Sequence, residues 1–408
     1  MLDRKGAYAG RENPVNGPYN PRTVVLHSRA LLAGALLLAG PTAHPQASAT
    51  SPSKAAAASP QAFDDLARRA EAAREAGRLD EARTLYREAL RLRPRWAEGL
   101  WYLGTLAYDG DRFVECRDTF RRLLAVQPKA AAAWALRGLC EFHLKEYEAA
   151  RRHLESALAS GPLETEAMAR VVAFHRALLA IRGSAFDLAI APLTELLRTQ
   201  AETPEVVEAC GLVLLRRAVL PADVPSSERE LVVTAGRAYC AHLARDTAKA
   251  RERFAVLLER YPRERHVHYG WGLSLAQQGS PEAMTEFRRE IELHPDHELA
   301  YVELAFNLLT RGQAEEALAA AREAARLAPG LFAARLVLGR ALVATGDVGS
   351  GVAELEAAAT LAPDIPEVHL ALARAYAQAG RKADADRAND TFRKLDSLRR
   401  EGPVAPKQ

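Results

Sequence analysis

The phrase REALRLRP at residues 87–94 returns almost unchanged as REAARLAP at residues 322–329. Each repeats small or apolar residues at three- and four-residue intervals, the period of an amphipathic helix. Each then stops at a proline, which lacks a backbone N–H and restricts the residue before it. Two helices that end in the same words imply a unit used more than once.

Working outward, helix-ending prolines fall at Pro94, Pro128, Pro162, Pro262, Pro295, Pro329 and Pro363, with successive gaps of 34, 34, 100, 33, 34 and 34. The long gap is close to three periods, so the middle holds units that have lost their proline. A second spacing recurs inside the units. Two small residues stand 12 apart in Ala70/Ala82, Gly104/Cys116, Gly138/Ala150, Ala177/Ala189, Ala238/Ala250, Ala305/Ala317, Gly339/Gly351 and Ala373/Ala385. One member on each of two helices lets an antiparallel pair approach closely, with a turn between them at a glycine such as Gly77, Gly110, Gly312, Gly346 or Gly380.

Composition agrees. Aromatics are 6% of the 408 residues, long stretches are written in Ala, Leu, Arg and Glu, and no segment sustains two-residue alternation of β-branched residues. The pattern resembles the tetratricopeptide repeat, best in LWYLGTLAYDGDRFVECRDTFRRLLAVQP (100–128) and YVELAFNLLTRGQAEEALAAAREAARLAP (301–329). The resemblance implies an all-α chain, a right-handed superhelical α-solenoid of about nine helix-turn-helix repeats with a degenerate middle.

The organisation read from sequence is an N-terminal extension and signal peptide over 1–49, an Ala/Ser/Pro linker over 50–61, four repeats over 62–203, a degenerate, bent junction over 204–230, further repeats and a capping helix over 231–402, and a tail over 403–408. Pro221 and Pro225 break the expected second helix of the junction, with Ser226 or Ser227 placed to cap the next, and local opening is expected to begin there. In the leader, Arg22, His27 and Arg29 precede the apolar run ALLAGALLLAG (30–40) and small-x-small sites at 41–43 and 47–49. Eleven apolar residues are too few for a span, which needs about 20. Pro41 stands where a lipoprotein signal needs Cys, and translation starting near Val24 or Val25 would make the leader conventional. The expected localisation is exported, periplasmic or secreted, with no stable membrane span after cleavage.

The formal charge of +3 arises in this leader. Residues 1–49 hold five basic and two acidic side chains, leaving 55 − 5 = 50 basic against 52 − 2 = 50 acidic in the rest. A neutral body does not suit nucleic acid.

Catalytic signatures are lacking: there is no C-x-x-C, H-E-x-x-H, phosphate-binding glycine loop or G-x-S-x-G, and repeats leave no room for a separate catalytic domain. No enzyme activity and no cofactor is expected. Cys116, Cys140, Cys210 and Cys240 take small-residue positions and suit buried thiols; the alternative in an exported protein is a bridge such as Cys116 to Cys140. His266, His268, His294 and His297 read as helix-terminal or solvated, because a metal site needs further ligands from elsewhere.

The resemblance implies that the first helices of the repeats line a concave face. On this chain that selects Trp101, Thr105 and Tyr108, then Leu139 and Phe142, then Phe306 (beside Val302 and Leu309), then Leu336 and Arg340 (with Val343), and Arg374 (with Leu370). The family's Lys/Asn/Arg carboxylate clamp lacks its Asn here. The expected partner is another protein, a helix or extended peptide docking with Trp101 and Tyr108 as anchors, on a scaffold or adaptor of the cell envelope. The alternatives are binding of an envelope polysaccharide and an accessory subunit of an export or assembly machine.

Overall fold

The computed structural model describes residues 60–199 and 202–401; the extension, the signal peptide, the linker up to residue 59 and the 403–408 tail lie outside them. The last two linker residues belong to the first helix, which begins at Pro60, a position where a proline's missing N–H costs nothing. Among the described residues are nineteen α-helices and no strand.

The chain divides into two compact units. The first comprises described residues 60–180 with 220–224. It contains α1 (Pro60–Glu75), α2 (Leu79–Leu92), α3 (Ala97–Asp109), α4 (Phe113–Leu124), α5 (Ala131–His143) and α6 (Tyr147–Ser160). Helix α7 (Glu166–Arg182) crosses the division, which falls between Ala180 and Ile181. The second unit holds α8 (Phe186–Thr199), α9 (Pro204–Leu214), α10 (Ser226–Leu243), α11 (Thr247–Arg260), α12 (Val267–Gln277), α13 (Glu282–Leu293), α14 (Glu298–Thr310), α15 (Ala314–Leu327), α16 (Phe332–Ala344), α17 (Val348–Leu361), α18 (Pro366–Gln378) and α19 (Lys382–Glu401).

Within each unit a first helix packs on its second and each second helix packs on the next first. The turn between partners repeats with the sequence period. Gly77, Asp111 and Lys145, then Arg245, Gly279, Gly312, Gly346 and Gly380, all adopt positive φ. The next residue's N–H then closes a bond back across the helix end, as in Arg78 to the Ala73 carbonyl at 2.9 Å and Arg112 to the Ala107 carbonyl at 2.8 Å. In the second repeat the left-handed residue is therefore Asp111, with φ 56°, and not the expected Gly110, whose φ is −92°. Glycine lowers the cost of this turn without being required for it.

The small pairs are close approaches. A Cβ on Gly104 would lie 2.8 Å from the Phe120 ring, and one on Gly339 would lie 2.9 Å from the Gly351 carbonyl. The repeat built from α12 and α13 belongs to the same series through Gly272, where a Cβ would meet Phe287 at 2.5 Å. Its buried small partner Ala283 is 11 residues on, matching the 33-residue gap between Pro262 and Pro295, so a search at spacing 12 passes over it. The opening phrases end alike: Arg93 N–H bonds the Ala89 carbonyl and Ala328 N–H the Ala324 carbonyl, each at 2.9 Å, with both alanines fully buried.

Cys116 on α4 and Cys140 on α5 form a disulfide across consecutive repeats, with Cα atoms 6.3 Å apart. The buried-thiol reading holds for Cys210 and Cys240 only.

The 204–230 segment, expected as a degenerate, bent junction, contains a closely packed helix pair. Every residue from Val206 to Leu214 is buried, and the Thr203 hydroxyl accepts the Val206 N–H to start α9. Helix α9 packs on α10 so closely that a Cβ on Gly211 would lie 2.0 Å from the Val232 carbonyl, and one on Gly236 would lie 1.9 Å from that of Val207. Pro221 and Pro225 interrupt the repeat, yet the chain uses a backbone-to-backbone glycine contact in place of the lost pair. Neither serine caps α10: the N-cap is Pro225, without a side-chain cap bond.

Candidate protein-binding face

The first helices of the second unit lie side by side, α12 on α14, α14 on α16, and α16 on α18. Phe306, Arg340 and Arg374 occupy the same place on three of them, 34 residues apart. Phe306 is 45% exposed, high for a large apolar ring. The Arg340 guanidinium lies over that ring at 5.2 Å from its centroid, a cation–π contact. Burial, then the neighbouring Arg374 charge, pulls the Arg340 pKa below its ordinary value. Neither arginine has an acidic partner among the described residues. On α14, burial raises the Glu303 carboxyl to about 7, and it too has no cation opposite it there. Leu336 is half-buried beside the cluster formed by Val352, Leu355 and Leu372.

The residues selected in the first unit fare differently. Tyr108 is 2% exposed, edge-on to Phe113 at 6.0 Å; Leu139 is 1% exposed. Thr105 is buried and donates its hydroxyl to the Tyr102 carbonyl at 3.0 Å. Trp101 is half-buried, edge-on to Phe120 at 5.8 Å, and Phe142 stands edge-on to His175 at 4.8 Å. Tyr108, Leu139 and Thr105 are thus core residues that present no surface to a partner, and Tyr108 is not an anchor. Their neighbours in the next helices carry enough aromatic and apolar bulk to cover them. Val302 is likewise buried.

Of the two readings of the histidines, helix-terminal holds for His266 and His297, which are the N-caps of α12 and α14, and solvated does not, since both are buried. The Glu290 carboxylate, fully buried on α13, accepts the His266 backbone N–H at 2.7 Å, His297 Nδ1–H at 2.9 Å and the Tyr269 backbone N–H at 3.1 Å. Burial pushes the Glu290 pKa up, but those donors outweigh it and hold the carboxyl below its usual range. Burial and the adjacent His297 lower His266 to about 3. The spacing between residues 266, 290 and 297 follows no motif, and only folding of three helix ends together brings them into contact.

A face of stacked first helices, closed by paired second helices, defines a helix-turn-helix repeat protein. Tetratricopeptide repeat models match residues 63–96, 104–165, 235–263 and 336–391, so the chain carries tetratricopeptide repeats over those stretches. No curated protein matches it by sequence. Solved structures of MamA are similar to part of it. MamA 41-end from Desulfovibrio magneticus RS-1 is 22% identical over 43% of this chain and 98% of that one, with a TM-score of 0.36. A crystal structure of MamA is 16% identical over 40% and 97%, also with a TM-score of 0.36. The repeats make the chain a protein–protein interaction scaffold. No helix among the described residues is long and apolar enough to cross a membrane.

Proposed function

We propose that this chain is a non-catalytic scaffold of the cell envelope, and that the face of α14, α16 and α18 receives an acidic peptide or helix from a partner protein. The observation that carries the reading is the row formed by Phe306, Arg340 and Arg374. An exposed ring beside two arginines that lack acidic partners offers an apolar contact and two carboxylate contacts at repeat spacing. A partner's carboxylates would also offset the burial and the Arg374 charge that together lower Arg340. Export is supported by the leader and by the Cys116–Cys140 disulfide, a bond that persists in oxidising compartments.

Fluorescence anisotropy with an array of acidic and basic peptides tests the site. Acidic peptides should bind, and Arg340→Glu with Arg374→Glu should weaken them about tenfold per arginine. Equal binding by the double variant removes this face from the function. Cell fractionation with an intact-mass measurement tests the location, since an unprocessed chain in the cytoplasm would contradict export.

A further inference from the structure

We propose that His266 and His297, oriented by Glu290, form a buried site for one divalent zinc-like cation at the joint between the α12–α13 repeat and α14. The three side chains offer ligand atoms that all lie within 4.8 Å of one another. Their arrangement is more specific than proximity. Glu290 accepts His297 Nδ1–H, which fixes the tautomer and leaves the Nε2 lone pair facing His266 Nδ1 at 3.1 Å. A carboxylate that holds one imidazole nitrogen so that the other can ligate is the usual outer shell of a histidine–zinc bond.

Two ring nitrogens 3.1 Å apart must share something between them, either a proton or a metal ion. Tetrahedral zinc with bonds of about 2.0–2.1 Å sets its nitrogens about 3.3 Å apart, so the rings need to part by only a few tenths of an ångström. The other two donors to the fully buried Glu290 are backbone N–H groups, so no Lys or Arg is among the donors that keep this carboxylate charged. A cation held by His297 would be attracted by that carboxylate, against the like charges of Arg265 and Arg216 felt at His266. Imidazole ligands select zinc and its borderline neighbours over calcium or magnesium.

The backbone is also set for the site. His266 has φ +73° at the N-cap of α12, a left-handed conformation held by its own N–H to Glu290. That turn aims Nδ1 at His297. His266 is 9% exposed and His297 1%, so an ion would reach the pair from the His266 side, and its remaining ligands would have to be water.

The test uses the tag-free full chain after chelator treatment, titrated calorimetrically with ZnCl2. One saturable equivalent and a raised melting temperature are expected, with tetrahedral visible bands when CoCl2 replaces zinc. His266→Asn keeps a residue that tolerates the left-handed turn, and this variant and His297→Gln should each abolish the equivalent. Glu290→Gln should weaken it about 10–100-fold. His369→Gln, on α18, should bind as the parent does. Circular dichroism confirms that each variant folds. Failure of the folded parent chain to bind zinc, or undiminished binding in both histidine variants, overturns the site and leaves the cluster as a proton-linked polar core.

Discussion

Tyr108 and Phe306 sit on first helices of different repeats, both selected from sequence as groove residues, and they end in opposite surroundings. Tyr108 is 2% exposed among Phe113 and His143; Phe306 is 45% exposed under Arg340. What separates them is the bulk carried by the neighbouring helices. In the first unit α4 and α5 bring Phe113 and His143, whose rings stack at 4.2 Å, and the tyrosine is enclosed. In the second unit the recorded neighbour of the Phe306 ring is Arg340, a charged side chain that leaves the ring partly open. Tyr108 stands four residues after the small residue Gly104 and Phe306 one after Ala305, so the position matching Phe306 is Thr105, which is 8% exposed against 45%. At that shared position the side chain and the adjacent repeat together decide whether anything remains free to bind.

Tyr108→Ala is expected to cost about 3–5 kcal/mol in urea unfolding, as a large ring leaving a packed core does. A loss below about 1 kcal/mol would place Tyr108 on the surface after all. Reducing the Cys116–Cys140 bond, which closes a separation of 24 residues, is expected to cost about 2–4 kcal/mol. Identical urea midpoints with and without reductant would mean the bond is not formed in solution. It strengthens the closed first unit, so the contrast between the two units should shrink under reduction.

Glu303 sharpens the other side of the comparison. Its folded pKa, about 7, lies above the unfolded value near 4.3. Its contribution to stability is therefore present below about pH 4.3 and is lost as pH rises towards 7. At pH 8 the Glu303→Gln variant should be more stable than the parent by roughly 1–3 kcal/mol, with the gap closing at pH 4. A gap independent of pH would show that the carboxylate has found a cation. The smallest effect is expected at the exposed ring: Phe306→Ala should change stability by no more than about 0.5 kcal/mol while weakening peptide binding.

Much of the fold was legible in the sequence. The stops at Pro94 and Pro329, the buried alanines before them and the glycine-lined approaches at Gly104 and Gly339 are local requirements of a helix pair, and local requirements leave a periodic trace. The α9–α10 crossing left no such trace. Pro221 and Pro225 predict a break, but only the meeting of Gly211 with Gly236 shows that the break is closed by packing.

The candidate sites follow the same division. Phe306, Arg340 and Arg374 could be found because a surface that repeats every 34 residues is written at that spacing. The His266–Glu290–His297 cluster could not, since its members come from three helix ends and each histidine, read singly as helix-terminal or solvated, gives no sign of the others. The sequence by itself determined an all-helical repeat protein, because helix period, small-residue spacing and proline stops act within one unit. Only the tertiary structure decided which face stays open and which polar groups are buried, because those outcomes depend on what the next repeat brings into contact.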